Sequence, residues 1–317
     1  MMREIGGYIE LDTYRMPMRH QGAIALNSGR NCLAYLIQSR QINKIKLPFL
    51  ICDSLIEICK REKIDYSFYH ISSDFLPCQD LVVADDEWLY LINYYGQLSR
   101  TDLQRYVEKY HRVIVDQAHG YFEEPILECD TIYTCRKWFG VADGAFLYTD
   151  SHLDTEFEID ISFDHMGFIL GRYEKGANDF YNDYVKNNAR FSSEPIKRMS
   201  KLTCNLLHAV DYCDIKTIRE YNFEYLHEKL RGLNKLTLKT AAFMYPLLID
   251  GGSRVRKLLI EKQIYIPILW PAVKRITDQT DLEYRFAEDI LPIPIDQRYG
   301  TEEMDIIVNE IMDIMEA

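Results

Sequence analysis

The chain has 317 residues, long enough for two packed units, and 47% hydrophobic with 27% charged residues describes a globular rather than a disordered protein. A net charge of −12 with no basic run argues against a nucleic-acid partner, whose phosphates need a cationic face. No stretch reaches the ~20 apolar residues of a membrane helix, and the opening MMREIGGYIELDTYRM lacks a charged-then-apolar leader pattern.

From about residue 24 to 150, short apolar runs alternate with helical stretches. AIALNSGRNCLAYLIQSR predicts an approach segment, a Ser-Gly turn and a helix with Leu33, Leu36 and Ile37 on one face. KLPFLIC predicts a buried strand, and DSLIEICKREK a helix capped by Asp53 or Ser54. DYSFYHI, DLVVA and EWLYLINYYG have strand character, the last ending in a turn at Gly96. LSRTDLQRYVEKYH predicts a helix, and RVIVDQAHG a strand with a polar end. Two more apolar runs, DTIYT and GAFLYT, flank a Gly-Val-Ala-Asp-Gly turn. This alternation predicts an α/β layer with a largely parallel sheet, in which ligands collect at the carboxyl ends of the strands.

Residues 172–232 are charged and helix-periodic, predicting two or three helices that leave the sheet. AAFMYPLLI, a Gly-Gly turn, the helix SRVRKLLIEKQ and the strand IYIPILW follow. The chain closes with LPIPI and an amphipathic helix whose apolar face carries Met304, Ile307, Val308, Ile311 and Met315. The expected organisation is a large α/β domain over 1–171 with a mostly parallel, mixed sheet flanked by helices. Connecting helices over 172–232 and a smaller C-terminal α/β domain over 233–317 complete it.

The eight cysteines form no C-x-x-C pair and several lie in apolar runs such as FLICDSLIEICK, which fits reduced thiols in the cytoplasm. There is no His-Glu-x-x-His, zinc-knuckle spacing, G-x-G-x-x-G or Walker A loop, so no metal site is expected. GGS at 251–253 precedes a helix and could bind an anion, although a plain turn explains it better. Arg254 and Arg256 after it could meet a substrate phosphate or carboxylate, although a solvated helix face explains them as well.

The singular feature is Lys137, set beside Trp138 and Phe139 in YTCRKWFGVADGAFLYTD. It could be a solvated cation whose stem lies on apolar neighbours, or a nucleophilic amine. Three features together favour the second. Asp116 ends an apolar strand, His119 follows it, and NSGRN opens a helix whose N–H groups could hold a phosphate. A phosphate cradle, an acid at a strand end and a strand-end lysine are the parts that pyridoxal phosphate needs. Lys137 would form a Schiff base with the cofactor aldehyde and shuttle a proton. Asp116 would pair with the pyridine nitrogen. Ser28, Gly29, Arg30 and Asn31 would bind the phosphate, with Thr134 as a second hydroxyl donor. His119 would lie beside the ring and contact its 3′ oxygen.

The order of these segments resembles the DegT family of fold-type-I pyridoxal-phosphate sugar aminotransferases. IGGYIEL at 5–11 resembles the family opening, NSGRNCL its Ser/Asn-Gly-Thr-x-Ala-Leu phosphate loop, and INYYGQ its Tyr-Gly-Gln/Lys strand end. VDQAH resembles Asp-x-Ala-Gln/His, and TCRKWFGVADGAFL the lysine segment. IREYNFEYLHEKL is similar to the Arg-x-x-Asn-Tyr helix, and KQIYIPILW to the Gly-Ile-x-x-x-x-x-Trp strand. There are departures. Arg30 stands where a hydroxyl is expected, IYTCR replaces Ser-Phe-His, and Cys52 lies near the place of the aromatic that stacks on the cofactor. The stack would then come from Tyr95 or His119.

The resemblance implies a cytoplasmic homodimer that transfers an amino group from an amino acid, with glutamate first among donors, to a keto-sugar. That sugar would be nucleotide-linked and made for polysaccharide biosynthesis. It implies small-molecule sugar and amino-acid substrates, with Asn187, Asn188 and Arg190 as candidates for reaching a partner's site. Two alternatives stay open: a pyridoxal-phosphate-binding relative with altered or lost chemistry, acting as a regulator or a lyase, and a non-enzymatic scaffold.

Overall fold

The computed structural model describes residues 5–316, so the outermost ends of the expected domains, residues 1–4 and 317, lie outside the described residues. The alternating apolar runs build one seven-stranded sheet from β1 (Ile24–Leu26), β2 (Lys44–Pro48), β3 (Asp65–Tyr69), β4 (Trp88–Ile92), β5 (Val113–Asp116), β6 (Asp130–Thr134) and β7 (Ala145–Tyr148). Their order is β1-β7-β6-β5-β4-β2-β3. The pairs from β3 through β6 are parallel, while β7 runs antiparallel to both β6 and β1. The sheet is thus mixed and mostly parallel, as expected. Every residue of β5 and β6 is buried, the pattern of strands covered on both faces.

Register decides where the strand ends meet. Ala145 lies opposite both Leu26 and Thr134, so β1 and β6 end at the same edge. Ile92 lies opposite Asp116, which brings the ends of β4 and β5 to that edge too. Helices α1 (Gly29–Ser39), α2 (Asp53–Arg61) and α3 (Arg100–Tyr110) cover the sheet. Ser28 and Ser99 cap α1 and α3 through their side chains. At α2 the cap differs from expectation. Cys52 holds the cap position with no side-chain bond, and Asp53 sits inside the first turn, where its charge suits the helix dipole.

Two expected strands are coil. DLVVA at 80–84 and IYIPILW at 264–270 pair with nothing in the described sheets. In both, some apolar side chains still pack inward: Leu81 and Val83 in the first, Ile266 and Trp270 in the second, where Ile268 between them is exposed. Alternation reports one buried face, and a coil lying on a core has one as well. Pro267 also removes a backbone donor that a ladder would need.

The 172–232 segment holds more pieces than expected; its middle returns to the sheet, while Phe223, Leu226 and Leu230 near its end pack in the core of the smaller unit. It contains the end of α4 (Gly167–Glu174), then α5 (Tyr181–Arg190), α6 (Lys201–Leu207) and α7 (Tyr212–Leu230). Between α5 and α6 the chain returns along β1, where Asn27 N donates to Lys197 O (3.0 Å) and Met199 N to Ala25 O (3.1 Å). The smaller unit pairs β8 (Met244–Leu248) antiparallel with β9 (Ile290–Pro294). Around them lie α8 (Gly252–Glu261), α9 (Val273–Ile276), α10 (Leu282–Asp289) and α11 (Thr301–Glu316). On α11 the fifth inward position is Ile314, and Met315 faces out at 43% exposure.

Candidate active site

Lys137 follows β6 by three residues, in a tight turn where Trp138 N and Phe139 N both donate to Cys135 O (2.9 and 3.0 Å). Trp138 and Phe139 are buried, which turns the lysine toward the open edge of the sheet. The turn is tied to its neighbour. Trp138 Nε1 donates to Ala118 O (2.9 Å), which ties the lysine loop to the Asp116–His119 loop. From the other side, buried Arg219 on α7 donates to the carbonyls of Trp138 (3.2 Å), Ala242 (3.0 Å) and Phe243 (3.3 Å).

His119 sets the state of the lysine. Its ring stacks on Phe243, with centroids 4.0 Å apart. Tyr95 N donates to Nδ1 (3.2 Å), so Nδ1 accepts, and in a neutral ring the hydrogen must sit on Nε2. Nε2 lies 2.8 Å from Lys137 Nζ. A neutral imidazole with its hydrogen on Nε2 donates there, and only an uncharged amine can accept. Both groups are pushed the same way. Burial holds the imidazole pKa well below its ordinary value, and a charge on Lys137 would press it lower still. Burial also lowers the Lys137 pKa, with Asp116 pulling it back up. The lysine is nonetheless solvent-exposed along one flank. Crowding around the amine together with an open flank describes a cleft, and the crowding is what weakens the charge.

Asp116 is buried at the end of β5, where its Oδ2 accepts from Tyr90 OH (2.9 Å) and its Oδ1 from Ala118 N (2.7 Å). Burial raises its pKa, and Lys137 is the largest influence lowering it. Each oxygen keeps a lone pair for a cation. An amine beside a buried carboxylate, next to the start of a helix that carries a half-buried arginine, is a donor set that fits pyridoxal phosphate.

Other expected residues are placed differently. Ser28 is fully buried, and its Oγ caps α1 by accepting from Asn31 N (3.2 Å). The Asn31 side chain points inward, donating to Asn27 Oδ1 and Pro195 O and accepting from Arg61, so it has nothing left for a cofactor. Gly29 lies at the helix start with Ile132 Cγ2 3.8 Å from where a Cβ would stand, and Arg30 follows it half-buried. Thr134 is buried beside Ala145 at the strand edge. The Tyr95 ring is 1% exposed, packed against Phe75, Phe243 and Trp270, and His119 is 3% exposed. Neither ring offers a free face to the cleft. Tyr95 acts instead through its backbone N–H, aimed by a left-handed φ of 55°.

Asn187 and Arg190 are engaged within their own chain, by Ala142 O and by Asp160 and Glu194. Asn188 bonds its own Arg30 and Arg136. Arg254 is exposed, while Arg256 is buried and donates to Ile290 O (2.6 Å). Phe243, which stacks on His119 and lies 5.7 Å from Lys137 Nζ, carried no signal in the sequence beyond being aromatic.

No family model matches the sequence, and no curated protein matches it. Solved structures do share its fold. The apo form of a protein described as a sugar aminotransferase, from Streptococcus pneumoniae, aligns with a TM-score of 0.66 at 13% identity, over 93% of this chain and 86% of that one. The same protein has PLP and PMP forms. A DegT DnrJ EryC1 StrS aminotransferase from Brucella abortus aligns at 0.63 and 12%, over 92% and 86% of the two chains. PseC of Helicobacter pylori, an aminotransferase in pseudoaminic acid biosynthesis, aligns at 0.62 and 12%, over 93% and 86%. At such identities the likeness establishes the fold: the chain has the α/β architecture of aminotransferase fold type I.

Proposed function

We propose that the chain is a pyridoxal-phosphate-dependent aminotransferase that moves an amino group from an amino acid, with glutamate as the expected donor, to a nucleotide-linked keto-sugar. The observation that carries this reading is the hydrogen-bond chain from Tyr95 N through His119 to Lys137 Nζ, which calls for an uncharged lysine next to a buried aspartate. Sharing a fold with sugar aminotransferases that have PLP and PMP forms supports the substrate class.

When bound, pyridoxal phosphate supplies an aldehyde that takes up an amine and a ring that draws electrons from the neighbouring carbon. The protein's own residues take the remaining parts. Lys137 Nζ is the nucleophile and the base that takes up and gives back one proton. His119 holds that amine uncharged and aimed. Asp116 stabilises a cationic nitrogen set against it. Trp138 and Phe243, with ring centroids 5.4 Å apart, close the back of the cleft against water.

The same proposal makes the chain a cytoplasmic homodimer. Lys137 is open on one flank, and Phe163 and Tyr173 stand 74% and 90% exposed beside and on α4, an apolar face that a second copy would cover. All eight cysteines are free thiols, which suits a reducing compartment, and no described helix is long and apolar enough to cross a membrane. Sedimentation equilibrium tests the dimer, and a monomer at micromolar concentration would refute it.

The function is tested by absorption spectra of the protein with pyridoxal phosphate, before and after excess glutamate, beside Lys137→Ala. The expected result is a visible band in the wild type alone, lost to the near-ultraviolet with glutamate. A band indifferent to glutamate or other amino donors would leave a cofactor-binding protein of other chemistry. A band equally strong in Lys137→Ala, or none in either protein, overturns the proposal.

A further inference from the structure

Arg136, next to the lysine, has no role in what precedes. Its guanidinium lies over the Phe191 ring, 4.5 Å from the centroid, and one Nη donates to Asn188 Oδ1 (3.2 Å). Its Nε is buried without a hydrogen-bond partner. Arg30, in the first turn of α1, donates to the backbone carbonyl of the same Asn188. One asparagine thus holds two guanidiniums.

Acids in the neighbourhood are already engaged. Asp160 and Glu194 pair with Arg190 and Lys197, Asp143 accepts from Ser200 and Thr203, and Glu57 accepts from Ser192. Neither Arg30 nor Arg136 forms an ion pair among the described residues. The cost is visible: burial, followed by the charge of Arg30, presses the Arg136 pKa down to about 10. A chain with a net charge of −12 has ample acid to neutralise such a pair, yet among the described residues none is in ion-pair contact with either guanidinium. Two half-buried like charges without a counter-charge are unfavourable until an anion joins them. The start of the eleven-residue α1, where unpaired N–H groups favour negative charge, lies alongside.

We propose that Arg30 and Arg136 form one two-guanidinium cup for a phosphate dianion, and that this phosphate is the one carried by the cofactor held at Lys137. The inference rests on the function proposed above and adds a ligand, Arg136, to it. Planar forks suit phosphate oxygens in a way that one hydroxyl does not, so the cup does the work expected of a hydroxyl after Gly29. The cofactor is favoured over a substrate phosphate because Arg136 adjoins Lys137 in the chain and α1 begins at the edge where β6 ends.

The experiment compares binding of pyridoxal phosphate with binding of pyridoxal, which has the aldehyde but no phosphate, in the wild type, Arg136→Gln, Arg136→Lys and Arg30→Gln. In parallel, the thermal midpoint of each cofactor-free protein is followed with inorganic phosphate. Arg136→Gln is expected to shrink the preference for the phosphorylated aldehyde by about 10- to 100-fold while leaving pyridoxal binding unchanged. Arg136→Lys falls between, keeping charge but losing the fork, and stands in if the glutamine variant does not fold. Inorganic phosphate should raise the midpoint of the wild type and not of Arg136→Gln. An unchanged preference in Arg136→Gln, with or without loss of the phosphate effect, overturns the cofactor assignment. Equal stabilisation of wild type and both glutamine variants by phosphate overturns the cup. If neither aldehyde binds at Lys137 in the wild type, the proposed function fails, and the phosphate arm still judges the cup.

Discussion

At Lys137 the decisive atom belongs to another residue. A lysine in a cleft is uncharged only if something favours the amine over the ammonium, and His119 Nε2–H is placed to do so. His119→Ala should therefore let water reach the amine and restore its charge, raising the apparent pKa of Lys137, because the lost N–H donor favoured the uncharged amine. His119→Gln keeps an N–H donor and should behave nearly as the wild type. The check is the rate at which pyridoxal labels Lys137 across the neutral and alkaline range, trapped with borohydride and read by peptide mass. Because the pKa is lowered in the fold, wild-type labelling should reach its plateau at a lower pH than that of the alanine variant. Coincident profiles for the alanine and glutamine variants would show that the donor is irrelevant.

At the scale of elements, Asp116, His119 and Lys137 are legible because each lies at or within three residues of the end of a short buried strand, where polar residues stand out. The coil segments DLVVA and IYIPILW were misread because alternation reports burial and not pairing. Asn31 looked like a loop ligand, since no sequence pattern shows that Asn27 and Arg61 turn its side chain inward. Tyr95 looked like a ring to stack, whereas its backbone N–H is what the site uses. Phe243 reaches His119 from the other unit, and such contacts leave no local trace. The Gly-Gly pair before α8 reads as a turn in the sequence, and it also fixes a packing distance. A Cβ on Gly252 would stand 2.1 Å from Asp289 O, a backbone atom that cannot rotate away. Gly252→Ala should force α8 off the end of α10 and lower stability by about 2–3 kcal/mol in urea unfolding. Gly232→Ala, with nothing within 4 Å, should change it little. Equal midpoints for the two variants would show that the backbone yields easily.

At the scale of the molecule, the site depends on both packed units. The sheet supplies Asp116 and Lys137, while Phe243 and Trp270 arrive from the later part of the chain to close around His119. Loosening either core therefore bears on the cleft, and one buried group makes the larger core sensitive to acid. His20 is 2% exposed, and its ring centroid is 4.1 Å from that of Tyr133. Its Nε2 donates to Tyr121 O (2.9 Å) and its Nδ1 accepts from Tyr148 OH (3.1 Å), so the neutral ring has a partner at both nitrogens. Burial lowers its pKa from 6.5 to about 4. An unfolded chain takes up this proton near pH 6.5, which the folded chain refuses until about pH 4. Stability is then full above pH 6.5 and falls as the pH drops through that window, by about 3 kcal/mol at its lower end. His20→Gln starts less stable, having lost the ring packing, but should lack this part of the acid loss. Urea unfolding of both proteins at several pH values across the window decides the matter. Parallel losses would mean that the acid sensitivity comes from other groups, and that His20 is held in the core by packing alone.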